Sequence, residues 1–253
     1  MSGRDDNLII DSLVFILDRE GIRDMDDLKP LKLRYRNRWF AYFDLLGFSN
    51  LVRQHRIEDV LPIYEDVLDA IEQKAAPKYV QGISYSWFSD TFIIYSSDDT
   101  TRDFALIEHV SRLFFQKLIL IHIPVRGSLT IGPLYTQKKK NIFLGEALID
   151  AYEYGEEQNW LGFVLTPSVY EHLKDDLPLE QRLCYRRVEI PGVITHTKSD
   201  NVFAFAFNNG QVNGRNPYLQ AIQSMKVNAG KEYATKYENT EKFIQAFGYL
   251  NYE

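Results

Sequence analysis

Cysteine is almost missing from this chain of 253 residues: Cys184 stands alone. No disulfide can form within the chain, and no cysteine-based zinc site exists. A long apolar run is missing too. The longest, around Leu118-Ile119-Leu120-Ile121, is far too short to span a bilayer. No apolar signal core follows Met1-Ser2-Gly3-Arg4, so the expectation is a reduced, cytoplasmic protein without membrane contact. A basic stripe is also lacking. The net charge is −6, and the one dense basic run, Lys138-Lys139-Lys140, sits between two apolar strands and reads as a solvated hairpin tip. Binding to long nucleic acid is therefore not expected. The histidines, His55, His109, His122, His172 and His196, show no metal-ligand spacing. Internal repeats and low-complexity tracts are absent as well.

What is present is an ordinary globular composition, with 45% hydrophobic and 25% charged residues. A chain this long can bury a core without covalent staples. Apolar residues at helical spacing from Asn7 to Arg19 predict an N-terminal helix. Trp39 to Phe43 predicts a buried strand ending at Asp44, and Leu45-Leu46-Gly47-Phe48 a tight connection. Ile57, Leu61, Tyr64, Leu68 and Ile71 predict a helix. Ile83 to Phe88 and Thr91 to Tyr95 predict a hairpin turning at Ser89-Asp90.

Asp99 or Thr100 opens the next helix. Pro124 to Gly132 reads as a strand, Leu134 to Thr136 and Ile142 to Leu144 as hairpin arms around the lysines, and Gly145 as a helix start. Phe163 to Leu165, Leu183 to Ile190 and Val202 to Phe207 read as later strands, with a helix starting at Pro167. From Pro217 a helical tail offers Ile222, Met225, Tyr233, Tyr237, Phe243 and Phe247 for docking. The fold class expected is α+β, a ferredoxin-like βαββαβ sheet with extra strands and helical additions at both ends. The expected division is an N-terminal helical extension over 1–37, a central sheet domain over 38–210 and a C-terminal helical tail over 211–253.

Two carboxylates stand at special places in this order. Asp44 closes an apolar strand before a glycine turn; Asp90 sits at a hairpin tip. In a split βαββαβ sheet the first strand lies beside that hairpin, so the two meet. Carboxylates meeting this way repel unless a cation lies between them. Mg²⁺ is commonly held by one or two carboxylates together with substrate phosphates. Each aspartate also has a plainer reading, as a turn residue or a helix cap. The glycine turn from Leu45 to Ser49 leads into a helix and offers backbone N–H groups to phosphate oxygens.

Tyr42-Phe43-Asp44-Leu45-Leu46-Gly47-Phe48-Ser49 resembles the first metal-binding motif of class III nucleotide cyclases, and Phe88-Ser89-Asp90 resembles the second, where glycine is usual at the place of Ser89. Arg126-Gly127 through Gly132, and Gly145-Glu146-Ala147-Leu148 with Ala151-Tyr152, resemble the later strand and helix of that family. The resemblance runs from Trp39 to Pro167. It implies two Mg²⁺ or Mn²⁺ ions per site, held by Asp44, Asp90 and Leu45. It also implies that Leu45, Leu46, Gly47, Phe48 and Ser49 touch a nucleoside triphosphate, and that a head-to-tail homodimer builds each site from both chains.

The departures from the family bear on the base. The purine-reading lysine falls at Ser86 and a second reader at Ile142, so both polar readers are gone. The family's transition-state Asn and Arg fall at Ile149 and Glu153. Arg126 is then the remaining candidate for charge stabilisation, with a structural ion pair as its other reading. Strand alternation puts Tyr42 on the face of Asp44, where a phenol would narrow a base pocket or pack in the core.

Metal residues without purine readers resemble the stand-alone pyrimidine cyclases of the bacterial anti-phage Pycsar system. That implies conversion of UTP, or less readily CTP, to the cyclic nucleotide, sensed by a separate effector protein. Two other readings stay open: a cyclase-like domain that binds nucleotide without turnover, and a palm-type polymerase or diguanylate cyclase. The acidic signature of the last is missing from the hairpin.

Overall fold

A computed structural model describes residues 35–48, 82–137, 140–175, 184–189, 193, 201–208 and 214–248, with isolated helical positions at 53, 58, 61, 62, 65 and 69. The helix expected over Asn7–Arg19, and most of the one expected over Ile57–Ile71, lie outside the described residues. So do Ser49, Lys138 and Lys139.

The strands are β1 (Arg36–Leu45), β2 (Ile83–Phe88), β3 (Thr91–Ser96), β4 (Val125–Gln137), β5 (Ile142–Leu144), β6 (Phe163–Leu165), β7 (Tyr185–Arg187) and β8 (Phe203–Phe205). The helices are α1 (Thr101–Leu120), α2 (Glu146–Glu156), α3 (Pro167–Leu173), α4 (Pro217–Asn228) and α5 (Ala234–Phe247), with a 3₁₀ turn at Lys231–Tyr233. All eight strands join one sheet in the order β2-β3-β1-β4-β6-β8-β7, and β5 pairs with the far end of β4. The pair β4–β6 is parallel; the other ladders are antiparallel. The fold is thus α+β, with the expected neighbours β3-β1-β4 at its centre.

Alternation along the central strands sorts the side chains into two layers. Trp39, Ala41, Phe43 and Leu45 of β1, with Phe92 and Ile94 of β3 and Val125, Leu129 and Ile131 of β4, enter the main core. There they meet the apolar stripe of α1, including Phe104, Ile107, Phe114, Phe115 and Leu118. Thr100 caps α1, its hydroxyl accepting from the Asp103 amide at 3.1 Å. Tyr218, Ile222 and Met225 of α4 and Tyr237, Phe243 and Ile244 of α5 bury into the same core. Phe40, Tyr42, Ile93 and Tyr95 point to the other side, against Ala147 and Ala151 of α2. Asp44 and Arg126 belong by alternation to this second face.

One expected break does not occur. The strand expected over Pro124–Gly132 and the hairpin arm expected over Leu134–Thr136 are one: β4 runs unbroken through Pro133, from Val125 to Gln137. On one side Pro133 stands opposite Asn37 of β1. On the other it falls in the gap between β6, which ends its pairing at Leu129, and β5, which begins at Tyr135. Proline is tolerated where no ladder bond needs its missing N–H. The late strands are shorter than the sequence suggests, three residues each at Tyr185–Arg187 and Phe203–Phe205.

The phenols of Tyr154, Tyr185 and Tyr218 are locked in the main core. Burial pushes Tyr218 and Tyr154 up to about 12 and Tyr185 well above the ordinary value. These groups fold as neutral phenols. Their contribution is full below the unfolded value near pH 10 and is lost as pH rises through the folded values. Unfolding free energy should therefore fall steeply above about pH 10. Absorbance of tyrosinate should show these phenols ionising together with loss of structure. Ionisation of all tyrosines at the ordinary value in a still folded protein would contradict the burial.

Candidate active site

The hairpin tip and the end of β1 are fastened together by backbone. The Leu45 amide donates to the Asp90 carbonyl at 2.9 Å, and Asp44 stands opposite Thr91, the residue after Asp90. The two aspartates that the sequence places at a strand end and a turn tip are therefore neighbours. The tip itself requires an unusual backbone: Ser89 adopts φ 56, the left-handed region where glycine is at ease. This explains the glycine usual there in the resembling motif. The Trp87 indole steadies the turn by donating to the Ser89 carbonyl at 2.8 Å.

Asp44 is nearly buried and does not stand alone. Its Oδ2 accepts from Arg126 Nε at 2.8 Å. Arg126 Nη2 meets Glu156 Oε2 at 2.5 Å, and its Nη1 donates to the Glu156 carbonyl at 2.5 Å. Tyr42 donates its phenol O–H to Glu156 Oε1 at 3.1 Å. Glu156 ends α2, so the helix covering this face delivers the carboxylate that holds both Tyr42 and Arg126. Arg126 is placed by its neighbour: Gly127 faces Phe43 across the β1–β4 ladder, and any Cβ there would collide with the Phe43 ring.

Burial raises the Asp44 pKa above its ordinary value even though Arg126 opposes this; the charges of Glu156 and Asp90 add to the rise. Desolvation thus outweighs the ion pair. Lys236 of α5 completes the surroundings. Its ammonium donates to the Gln158 carbonyl at 2.8 Å, and burial and then Arg126 lower its pKa.

Among the described residues no group of three or more His, Cys, Asp or Glu side chains is placed to hold a metal ion. The two aspartates fit a different arrangement, in which hard cations arrive with substrate phosphates and need only a pair of protein carboxylates. The adjacency of Asp44 and Asp90 agrees with that chemistry.

The other expected site residues divide. The Leu45 and Leu46 amides are engaged, with Asp90 and Pro124 carbonyls at 2.9 Å each, so they fasten the turn instead of offering donors to phosphate. Gly47, at φ 75, supplies the left-handed bend after them. Phe48 packs its side chain partly against the main core. Tyr42 is 4% exposed, its ring beneath α2 against Tyr152 and Gly155. It fills the smaller core and does not wall an open pocket, because α2 lies directly over it.

Ser86 lies on edge strand β2, where its hydroxyl donates to Asn141 Oδ1 at 2.9 Å. Asn141 precedes Ile142, so the two positions counted as base readers are brought to one place. Glu156, Gln158, Lys236 and Asn141 were not legible as site residues. Glu156, Gln158 and Lys236 reach the Asp44–Arg126 cluster, and Asn141 reaches Ser86, from positions far away in sequence, and none carries a local motif.

No protein-family model and no curated protein matches the chain. Solved structures do resemble it. One is the monomeric guanylyl cyclase domain of a RhoGC fusion protein from the aquatic fungus Blastocladiella emersonii, at 14% identity, covering 56% of this chain and 86% of that one with a TM-score of 0.44. Another is the guanylate cyclase domain of RhGC from Catenaria anguillulae in complex with GTP, at 10% identity, 68% and 96% coverage and a TM-score of 0.47. An adenylyl cyclase from P. aeruginosa matches at 13% identity, 56% and 82% coverage and a TM-score of 0.41. Likeness this distant assigns no residue a role and this chain no substrate. No helix among the described residues is long and apolar enough to cross a membrane.

Proposed function

We propose that the protein is a nucleotide cyclase, with a pyrimidine triphosphate, UTP before CTP, as its substrate. The observation that carries the reading is the fastening of Asp44 beside Asp90 by the Leu45–Asp90 backbone bond at the end of the central strand. Asp44 and Asp90 would hold two Mg²⁺ or Mn²⁺ ions, with Leu45 beside them. Such a pair lowers the cost of an anionic nucleophilic oxygen and of a departing phosphate. In the reaction the substrate's 3′-oxygen forms a bond to the α-phosphorus, the bond from that phosphorus to the β-phosphate oxygen breaks, and pyrophosphate leaves; the hydroxyl proton passes to solvent. Arg126 keeps Asp44 in place between turns of the cycle.

The pyrimidine reading is supported by Ser86 and Ile142, small or apolar where purine readers fall in the resembling family. The Ser86–Asn141 pair offers an amide with both a donor and an acceptor for a single-ring edge. A site that hydrogen-bonds its substrate rejects analogues lacking the match. The cyclic product would act through a separate sensing effector, as in anti-phage signalling.

Phosphorus NMR of UTP incubated with the protein and Mg²⁺ tests the reaction class. A cyclic phosphodiester and pyrophosphate should appear in equal amounts. Release of inorganic phosphate or of UMP instead would overturn the reading.

We also expect a homodimer. Edge strand β2 presents Phe88, 75% exposed, and Tyr85, and α2 presents Ile149 and Tyr152 outward. Exposed aromatics of this kind are enriched at protein interfaces. Light scattering should give twice the chain mass for the active species. Full activity in a monomer would contradict a site shared between two chains.

A further inference from the structure

The C-terminal helix grips the segment that holds Arg126. Lys236, Asn239 and Thr240 share one face of α5 by helical spacing. Lys236 donates to the Gln158 carbonyl at 2.8 Å, Asn239 to the Asn159 carbonyl at 2.9 Å, and Thr240 accepts from the Leu161 amide at 2.8 Å. These three contacts fix the link between α2 and β6. The same link reaches β4 from inside: Gln158 Nε2 donates to the Gly127 carbonyl at 2.9 Å, one residue from Arg126.

We propose that Lys236 is a positioning residue for the Asp44–Arg126–Glu156 cluster, acting through the Gln158 carbonyl. Arg126 Nη1 has two carbonyls to choose between, Glu156 at 2.5 Å and Gln158 at 3.4 Å. Gln158 is fully buried, so water does not serve its carbonyl. With the ammonium there at 2.8 Å, Arg126 reaches this carbonyl only at long range, and the guanidinium stays nearer Glu156 with its Nε on Asp44. Without the ammonium, Gln158 presents a buried carbonyl that lacks its strong donor, and such a group draws the nearest one. The nearest is Arg126, and its movement toward Gln158 loosens its bond to Asp44.

The activity arm of the test rests on the cyclase reading; the spectroscopic arm does not. Lys236→Met keeps the aliphatic stem and removes the donor. Lys236→Arg restores a charged donor, and Lys226→Met is a control, because Lys226 of α4 pairs with Glu241 of α5 at 3.0 Å, away from the cluster. The Arg126 Nε–H resonance, assigned by its loss in Arg126→Lys, should shift in Lys236→Met, return most of the way in Lys236→Arg and stay in place in Lys226→Met. The kcat should fall about 10-fold in Lys236→Met, as small misplacements remote from the chemistry can cause. KM should change by less than about 3-fold, since substrate contacts are kept.

An unmoved resonance in folded Lys236→Met overturns the proposal, as does a moved resonance with unchanged kcat. If Lys236→Met does not fold, Lys236→Gln, which keeps a donor without charge, gives the same two readouts. If the unmodified protein turns over no nucleotide, the cyclase reading fails, and the resonance alone decides whether Lys236 sets Arg126.

Discussion

Asp44→Asn and Asp90→Asn should each lower nucleotide turnover by about 10³-fold or more, the several kcal/mol that metal-assisted charge stabilisation supplies. Both replacements keep the side-chain shape. Asp90→Asn leaves the backbone bond from Leu45 to the Asp90 carbonyl untouched, so the hairpin should stay in place. Asp44→Asn removes a charge that burial already disfavours, so folding should not suffer greatly from that loss, although Arg126 gives up one partner. Steady-state assays with saturating Mn²⁺, alongside thermal unfolding, separate the effects. Either variant retaining near-full turnover would remove that aspartate from the chemistry.

Arg126→Met should be the most destabilising single change in the site, by about 3–5 kcal/mol, the range for breaking a buried ion pair on one side. The Arg126 and Asp44 side chains are only 9% and 13% exposed. Removing the guanidinium leaves Asp44 beside Glu156 and Asp90 with no cation in contact, and leaves the Glu156 carbonyl without its donor. Urea unfolding measures the loss. Adding Asp44→Asn to Arg126→Met should recover part of it, since the orphaned charge is then gone. A loss under about 1 kcal/mol would show that the pair contributes no more than an exposed one.

Sequence reasoning reached the adjacency of Asp44 and Asp90 because it depends on two local signals and one topological rule. A buried strand ends in Asp44, a two-residue turn carries Asp90, and the split sheet sets that strand beside that hairpin. The same reasoning placed Tyr42 on the Asp44 face by alternation, which is where it lies. It could not see that α2 would close over Tyr42 and leave its phenol on Glu156, because the helix's path across the sheet is a tertiary fact. The glycine turn was legible as a turn, but not the engagement of the Leu45 and Leu46 amides, whose acceptors lie in β2–β3 and before β4.

Lys236 is the extreme case. It is an ordinary lysine on an amphipathic helix until the fold sets it against the Gln158 carbonyl. Nor was it legible that the strand over Pro124–Gly132 and the arm over Leu134–Thr136 would join through Pro133. Its effect on a strand depends on which ladder side lacks a partner, and pairing partners are not written locally.

The most direct test of the central claim is to incubate the purified protein with each of the four ribonucleoside triphosphates and Mn²⁺ and identify every product by mass and chromatography. The prediction is cyclic UMP as the main product, with less cyclic CMP, and none from Asp90→Asn. Cyclic AMP or cyclic GMP as the main product would contradict the pyrimidine assignment, and no cyclic product from any of the four would contradict the assignment of cyclase chemistry to Asp44 and Asp90.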